Sequence, residues 1–264
     1  MNAKDAPQVT IVTGAARRIG AAIAQRLAAE HCAVVLHTSP SSQKEGEAEA
    51  DRIREHGGNA LVIPRDLTEA DAASVLFSEA ERVFGAVTLL VNNASLFEPD
   101  RAEDFTPELF SPHIAVNLRA PLLLAQEMRQ RLPEDRNGSI VNVIDQRVLR
   151  PNPLYFSYSL SKSALWSATI TMAQAFAPKI RVNAVAPGPV LPNVHDGPQA
   201  FREEAAALPL KRAASVEDVC DAVIYLANAQ SVTGQLIAVD GGQHIAWETP
   251  DVLALSRRSA GDGS

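Results

Sequence analysis

In the stretch VIDQRVLRPNPLYFSYSLSK (143–162), Tyr158 and Lys162 stand four residues apart, so on a helix they share a face one turn from each other. A tyrosine, with an ordinary pKa of about 10, is a poor acid–base group at neutral pH, and a neighbouring ammonium favours its phenolate. The spacing therefore predicts a lysine-assisted proton donor. Asp145 follows the apolar run Ser139-Ile140-Val141-Asn142-Val143-Ile144, where a carboxylate ends a buried strand and faces whatever the tyrosine faces. Each residue also has a plainer reading. Tyr and Lys fall at this spacing by chance in many helices, and an aspartate after a strand is commonly a turn former or helix cap. The triplet gains meaning only from the elements around it.

Those elements alternate along the chain. Strand-like runs at 9–12, 33–36, 60–63, 88–91, 139–144, 180–185 and 236–239 are separated by helical patterns at 19–30, 43–56, 69–84, 157–177 and 216–227. Another helix opens at Thr106-Pro107-Glu108 and runs through Asn117 toward Arg131, with Pro112 and Pro121 set to break or kink it. Ser215, with Asp218 three residues on, predicts an N-cap, and residues 189–210 show no regular pattern. The alternation predicts an α/β fold: a single doubly wound (Rossmann) domain over residues 1–264, with a seven-stranded parallel sheet and helices on both faces.

The bulk properties narrow the function classes. A net charge of -7 and a pI near 5.4 argue against a nucleic-acid surface. Cys32 and Cys220 fall in apolar patterns and predict buried thiols, and the six histidines have no paired spacing that suits a metal. With neither a signal-length apolar run before the first strand nor a membrane-length stretch elsewhere, a cytoplasmic protein is expected. The tail 256–264, small and polar, is expected to fray.

The first turn, Thr13-Gly14-Ala15-Ala16-Arg17-Arg18-Ile19-Gly20, follows a strand and opens a helix, a context in which small residues let a pyrophosphate approach backbone N–H groups. An ordinary turn with glycines that relieve crowding reads the same way. Arg17 and Arg18 lie where the helix N-terminus already favours anions. The second strand ends in Leu36-His37-Thr38-Ser39, without an acid for a ribose 2′-hydroxyl. The combination predicts NADPH over NADH, with Gly14 and Ile19 in the turn and Arg17, Arg18, His37, Ser39 and Ser41 as phosphate contacts. Solvated surface groups are the alternative.

With these residues in view, the chain resembles the short-chain dehydrogenase/reductases across nearly its whole length. The resemblance is carried by the Thr13-Gly14 turn, Asp66, Asn92-Asn93-Ala94, Asn117, the Tyr158/Lys162 pair, Pro187-Gly188 and Asp240-Gly241-Gly242. It implies that Asp66 contacts adenine, Asn92 supports sheet and cofactor, Lys162 holds the nicotinamide ribose, and Asn117 helps retain a water beside the lysine. Ala94, Pro187 and Gly188 line the cofactor by the same resemblance. Arg18 replaces a usual glycine and Asp145 the usual serine, a pairing similar to the pteridine reductase and dihydromonapterin reductase branch, in which Ser95 and Phe97 match positions that hydrogen-bond and stack on the pterin.

Chemistry agrees with that branch. A serine donates to a carbonyl oxygen, whereas an acid paired with tyrosine delivers a proton to the nitrogen of a C=N bond. Phe97 suits offset stacking on a flat heterocycle, or equally a core or lid position. The predicted function is an NADPH-dependent pterin or dihydropterin reductase whose loop 189–210 covers the substrate, with a homotetramer expected from the resemblance alone. A ketone reductase of a 3-oxoacyl thioester and a non-catalytic NADPH-binding protein are the competing readings.

Overall fold

A computed structural model describes residues 8–192 and 197–248. Seven parallel strands form one sheet in the order β3-β2-β1-β4-β5-β6-β7. β1 (Val9–Val12), β2 (Ala33–Thr38) and β3 (Asn59–Pro64) are linked by α1 (Arg18–Ala29) and α2 (Gln43–Glu55). α3 (Ala72–Phe84) leads to β4 (Val87–Asn92) on the other side of β1, so the winding direction reverses between β1 and β4. That reversal opens a crevice above the carboxyl ends of the strands, where ligands of doubly wound sheets bind.

The second half continues outward with α4 (Pro107–Ile114), α5 (Ala120–Arg131), β5 (Gly138–Val143), α6 (Phe156–Phe176) and β6 (Ile180–Pro187). α7 (Gly197–Ala207), α8 (Val216–Asn228) and β7 (Leu236–Val239) complete the chain. The inner strands bury both faces, which explains their unbroken apolar runs: β1, β2, β4 and β5 have every residue buried. Alternate strand residues feed two cores. One gathers Val34, Leu36, Leu89 and Val91 with Ile23, Leu27, Val223 and Leu226 of α1 and α8. The other gathers Val35, Leu90 and Ile140 with Leu76 and Phe77 of α3 and Leu124 and Met128 of α5. Ser215 and Asp218 form the reciprocal capping box at α8.

Two elements differ from expectation. α7 occupies part of the stretch that shows no pattern: it has no fully buried residue, its apolar side chains Ala200, Phe201 and Ala205 are only half-buried, and so its apolar signal is weak. α4 and α5 are joined without a break by a π-helical turn, Ala115–Arg119. Pro121 supplies the reason. In α-helical register its missing N–H and its ring would meet the Asn117 carbonyl, and a wider turn relieves that conflict.

Among the described residues no helix is long and apolar enough to cross a membrane, and no group of three or more His, Cys, Asp or Glu could hold a metal ion. Cys32 and Cys220 are buried free thiols. The tail 256–264 and residues 193–196 of the expected substrate loop lie outside the described residues.

Candidate active site

α6 brings Tyr158 and Lys162 to the carboxyl end of β5, both buried. The Tyr158 hydroxyl donates to Asp145 Oδ2 at 2.9 Å, and Lys162 Nζ donates to the Val143 carbonyl at 2.8 Å. The triplet read from sequence therefore converges on one corner. The expected electrostatics do not. Burial first, and then the Asp145 charge, push the Tyr158 pKa well above its ordinary value, so its proton is retained. Burial also lowers Lys162, to about 8. The lysine does not make the free tyrosine a phenolate; the carboxylate holds it as a hydrogen-bond donor.

Three residues in this corner carried no signal by spacing. Arg147 donates from its backbone N–H to Asp145 Oδ1 at 2.8 Å and from Nη1 to Oδ2 at 3.2 Å. Tyr155, in the left-handed region at φ 56°, stacks on Phe97 with centroids 4.2 Å apart. Phe97 also meets Tyr158 in an edge contact at 4.6 Å, so the aromatic expected to stack on substrate borders the proton donor but has one face covered. Ser161 joins Asn117 to α6, accepting from Asn117 Nδ2 at 3.0 Å and donating to the Tyr158 carbonyl.

Asn117 uses its remaining side-chain groups on Leu96. Its Oδ1 accepts from the Leu96 N–H at 2.8 Å and its Nδ2 donates to the Leu96 carbonyl at 2.9 Å. The π turn thus fixes the loop that carries Ser95, whose hydroxyl also reaches Asn117 Oδ1 at 3.3 Å, and Phe97. Asn92 lies deeper. Its Nδ2 donates to Asn142 Oδ1, whose own amide donates to Thr169 of α6, both at 2.8 Å, tying the catalytic helix to two strands.

At the other end of the crevice the contacts are mostly to backbone. Gly14 has φ +65°, and a Cβ there would lie 2.9 Å from Ala94 Cα; the turn closes against β4 only because glycine occupies it. Asn93 Nδ2 clamps the Thr13 and Gly14 carbonyls, and Thr13 Oγ1 accepts from the N–H groups of Asn93 and Ala94. Asn93 is a positioning residue that the motif named without a role. Gly188, after β6, is as crowded: a Cβ would meet Asp240 Cβ at 2.7 Å.

Arg17 and Arg18 are exposed at the start of α1, with Ile19 half-buried; Arg18 donates to the Pro192 carbonyl. The hydroxyls of Ser39, Ser41 and Ser42 cluster after β2, Ser39 lying 3.0 Å from Ser41 and 3.2 Å from Ser42. Asp66 caps its own loop through Thr68, which holds its pKa below the usual carboxylate value. His37 corrects the expectation of a phosphate contact. Its ring is buried, accepts the Gly14 N–H at Nδ1 and donates from Nε2 to the Arg65 carbonyl. Burial lowers its pKa to about 4, so it carries no charge at neutral pH and braces the turn from inside.

A family model described as enoyl-(acyl carrier protein) reductase matches residues 14–244. The chain is 36% identical to an uncharacterized oxidoreductase of Methylorubrum extorquens, over 89% of this chain and 97% of the relative. It is 32% identical to glucose 1-dehydrogenase of Gluconobacter oxydans, over 88% and 90%. The chain belongs to the short-chain dehydrogenase/reductase family. Among solved structures, FolM alternative dihydrofolate reductase 1 from Brucella canis, complexed with NADP, is 50% identical with a TM-score of 0.90, covering 94% of this chain and 98% of its own. Family membership establishes an oxidoreductase. The relatives' names span a sugar and a dihydrofolate, so family alone does not choose the substrate.

Proposed function

We propose that this short-chain reductase uses NADPH to reduce a C=N bond of a pterin or dihydropterin. The observation that carries the reading is the 2.9 Å hydrogen bond from Tyr158 to the Asp145 carboxylate. Reduction of a ketone develops negative charge on oxygen, which an adjacent carboxylate opposes. Reduction of an imine is helped by protonation of nitrogen, and a carboxylate stabilises the resulting cation. At about 4 Å and an effective dielectric of about 20, the interaction amounts to about 4 kcal/mol, with opposite sign for the two substrates. That difference favours the imine.

The residues of the crevice fit a dinucleotide bearing a 2′-phosphate. The tight Gly14 approach, the exposed Arg17 and Arg18, the Ser39/Ser41 hydroxyls and the lack of an acid at the end of β2 all support it. The Brucella relative, bound to NADP, supports the same reading. Ile19, Asp66, Asn92, Ala94, Pro187 and Gly188 complete the proposed lining. Bound there, NADPH supplies the hydride. Tyr158 and Asp145 form a relay, the tyrosine handing a proton to the substrate nitrogen and taking its replacement from solvent through Asp145; Lys162 holds the ribose, and Ser95 and Phe97 receive the ring. Since Tyr155 covers one face of Phe97, the heterocycle takes the other face or displaces Tyr155.

The test is NADPH consumption with dihydrobiopterin, dihydromonapterin, dihydrofolate and an acetoacetyl thioester, for the native protein and Asp145→Ser. Turnover of a dihydropterin, reduced about a hundredfold by Asp145→Ser, is expected. Turnover of the thioester alone, unharmed by the substitution, would overturn the reading.

A further inference from the structure

We propose that Arg147 is a positioning residue that brackets both oxygens of the Asp145 carboxylate and thereby fixes the direction in which Tyr158 presents its proton. The proposal rests on the reductase reading above and adds a residue to it. Asp145 has extended backbone geometry and is the N-cap of the short turn Gln146–Val148, accepting the Arg147 N–H that this turn leaves without an internal partner. The cap and the acid, alternatives in the sequence, are one arrangement. The local bond fixes Oδ1. The guanidinium reaches Oδ2, the oxygen that also accepts the Tyr158 hydroxyl.

The aromatic wall explains why the guanidinium stays there. Its carbon lies 5.6 Å from the Phe97 centroid and 5.3 Å from the Tyr155 centroid, while those centroids are 4.2 Å apart. Both distances lie within cation–π reach, so the two rings help to hold the guanidinium beside Asp145. Asp145 adds the ion pair. The two side chains are 19% and 13% exposed, and a pair this sheltered is screened less than a surface pair. Arg147 Nε is buried without a hydrogen-bond partner among the described residues, and the guanidinium meets Asp145 through Nη1.

Among the described residues, three charged groups face Tyr158: Asp145 from the end of β5, Arg147 from the turn after it, and Lys162 from its own helix, with Nζ 5.8 Å from the ring centroid. Lys162 is committed to the Val143 carbonyl. The Arg147 backbone N–H holds Oδ1, and its guanidinium shares Oδ2 with the Tyr158 hydroxyl. Without the guanidinium, Oδ2 keeps the tyrosine as its partner but loses the contact that sets its direction.

The experiment compares native protein with Arg147→Met and Arg147→Lys, each alone and with Asp145→Ser, by kcat and KM with NADPH and a dihydropterin. A substrate-free readout accompanies it: the infrared difference spectrum of ring-labelled tyrosine between each protein and its Tyr158→Phe counterpart, which reports whether the hydroxyl donates. Arg147→Met is expected to lower kcat roughly ten- to a hundredfold with KM for NADPH unchanged. It should shift the Tyr158 band away from the donor position, while Arg147→Lys restores part of both. Combined with Asp145→Ser it should add nothing. Additive losses in the double variant would mean that Arg147 meets the substrate directly, and an unmoved tyrosine band would mean that it does not hold Asp145; either overturns the proposal. If no dihydropterin is turned over, the infrared comparison still decides the role of Arg147, so the two readings fail separately.

Discussion

The two ends of the crevice are built in opposite ways. Around Gly14 the contacts are backbone to backbone, or a single side chain to a backbone group, as with Asn93 on the Thr13 and Gly14 carbonyls and His37 on the Gly14 N–H. Around Tyr158 they run side chain to side chain: Asp145 from a strand end, Arg147 from a turn, Phe97 from a loop, with Tyr155 and Tyr158 from the start of α6. A site built from backbone depends on whether atoms can come close enough. A site built from side chains depends on charge and direction. Substitutions at the first should therefore act through affinity and stability, and at the second through the rate of the chemical step.

The largest expected effect is at the second end. Tyr158→Phe removes the proton donor and should lower kcat about 10²–10⁴-fold while NADPH affinity, followed by fluorescence, stays within twofold or so. An equal loss of affinity would erase the distinction between the ends. Gly14→Val is its counterpart. A β-branched residue at φ +65° against Ala94 should lower thermal stability by roughly 1–3 kcal/mol and weaken NADPH about tenfold or more, with kcat at saturating cofactor little changed in whatever folds.

The brace at His37 sharpens the comparison through pH. Its folded pKa, about 4, lies below the ordinary 6.5, so between these values the unfolded chain binds a proton that the folded one refuses. Its contribution to stability is intact above about pH 6.5 and falls as the pH drops toward 4, by on the order of 3 kcal/mol in all. Denaturant unfolding should show this slope, and His37→Gln should lack it. The smallest effect belongs to the exposed arginines. Arg17→Ala with Arg18→Ala should weaken NADPH by about 1–2 kcal/mol and leave NADH nearly untouched, as paired binding titrations would show. A larger loss for NADH would remove the 2′-phosphate assignment.

The same division decides what the sequence reveals. The succession of strands and helices along the chain, the Gly14 turn and the Tyr158/Lys162 pair follow from periodicity and spacing, because each is a local pattern. His37 reads as a surface cation from its place at a strand end, and its burial, which keeps it neutral against the opposing pull of the Arg65 carbonyl, comes only from the fold. Tyr155 and Arg147 give no spacing signal, since their partners Phe97 and Asp145 are met through the fold and a short turn. The phenolate expected from a lysine one turn away fails for a related reason: neither burial nor the Asp145 charge is visible in a four-residue interval. α7, without a fully buried residue, has only a weak pattern to read.

The π turn at Ala115–Arg119 has one more consequence. It holds one residue more than an α-helix would seat over the same rise, and so works as a length gauge between α4 and α5. Deleting a single residue there would return the segment to a plain α-helix, with α4 and α5 still in phase but the backbone under Asn117 redrawn. Asn117 would then swing away from Leu96 and Ser161 together, releasing the loop that carries Phe97 and the helix that carries Tyr158 in one step. An irregularity of one residue keeps two distant parts of the active site together.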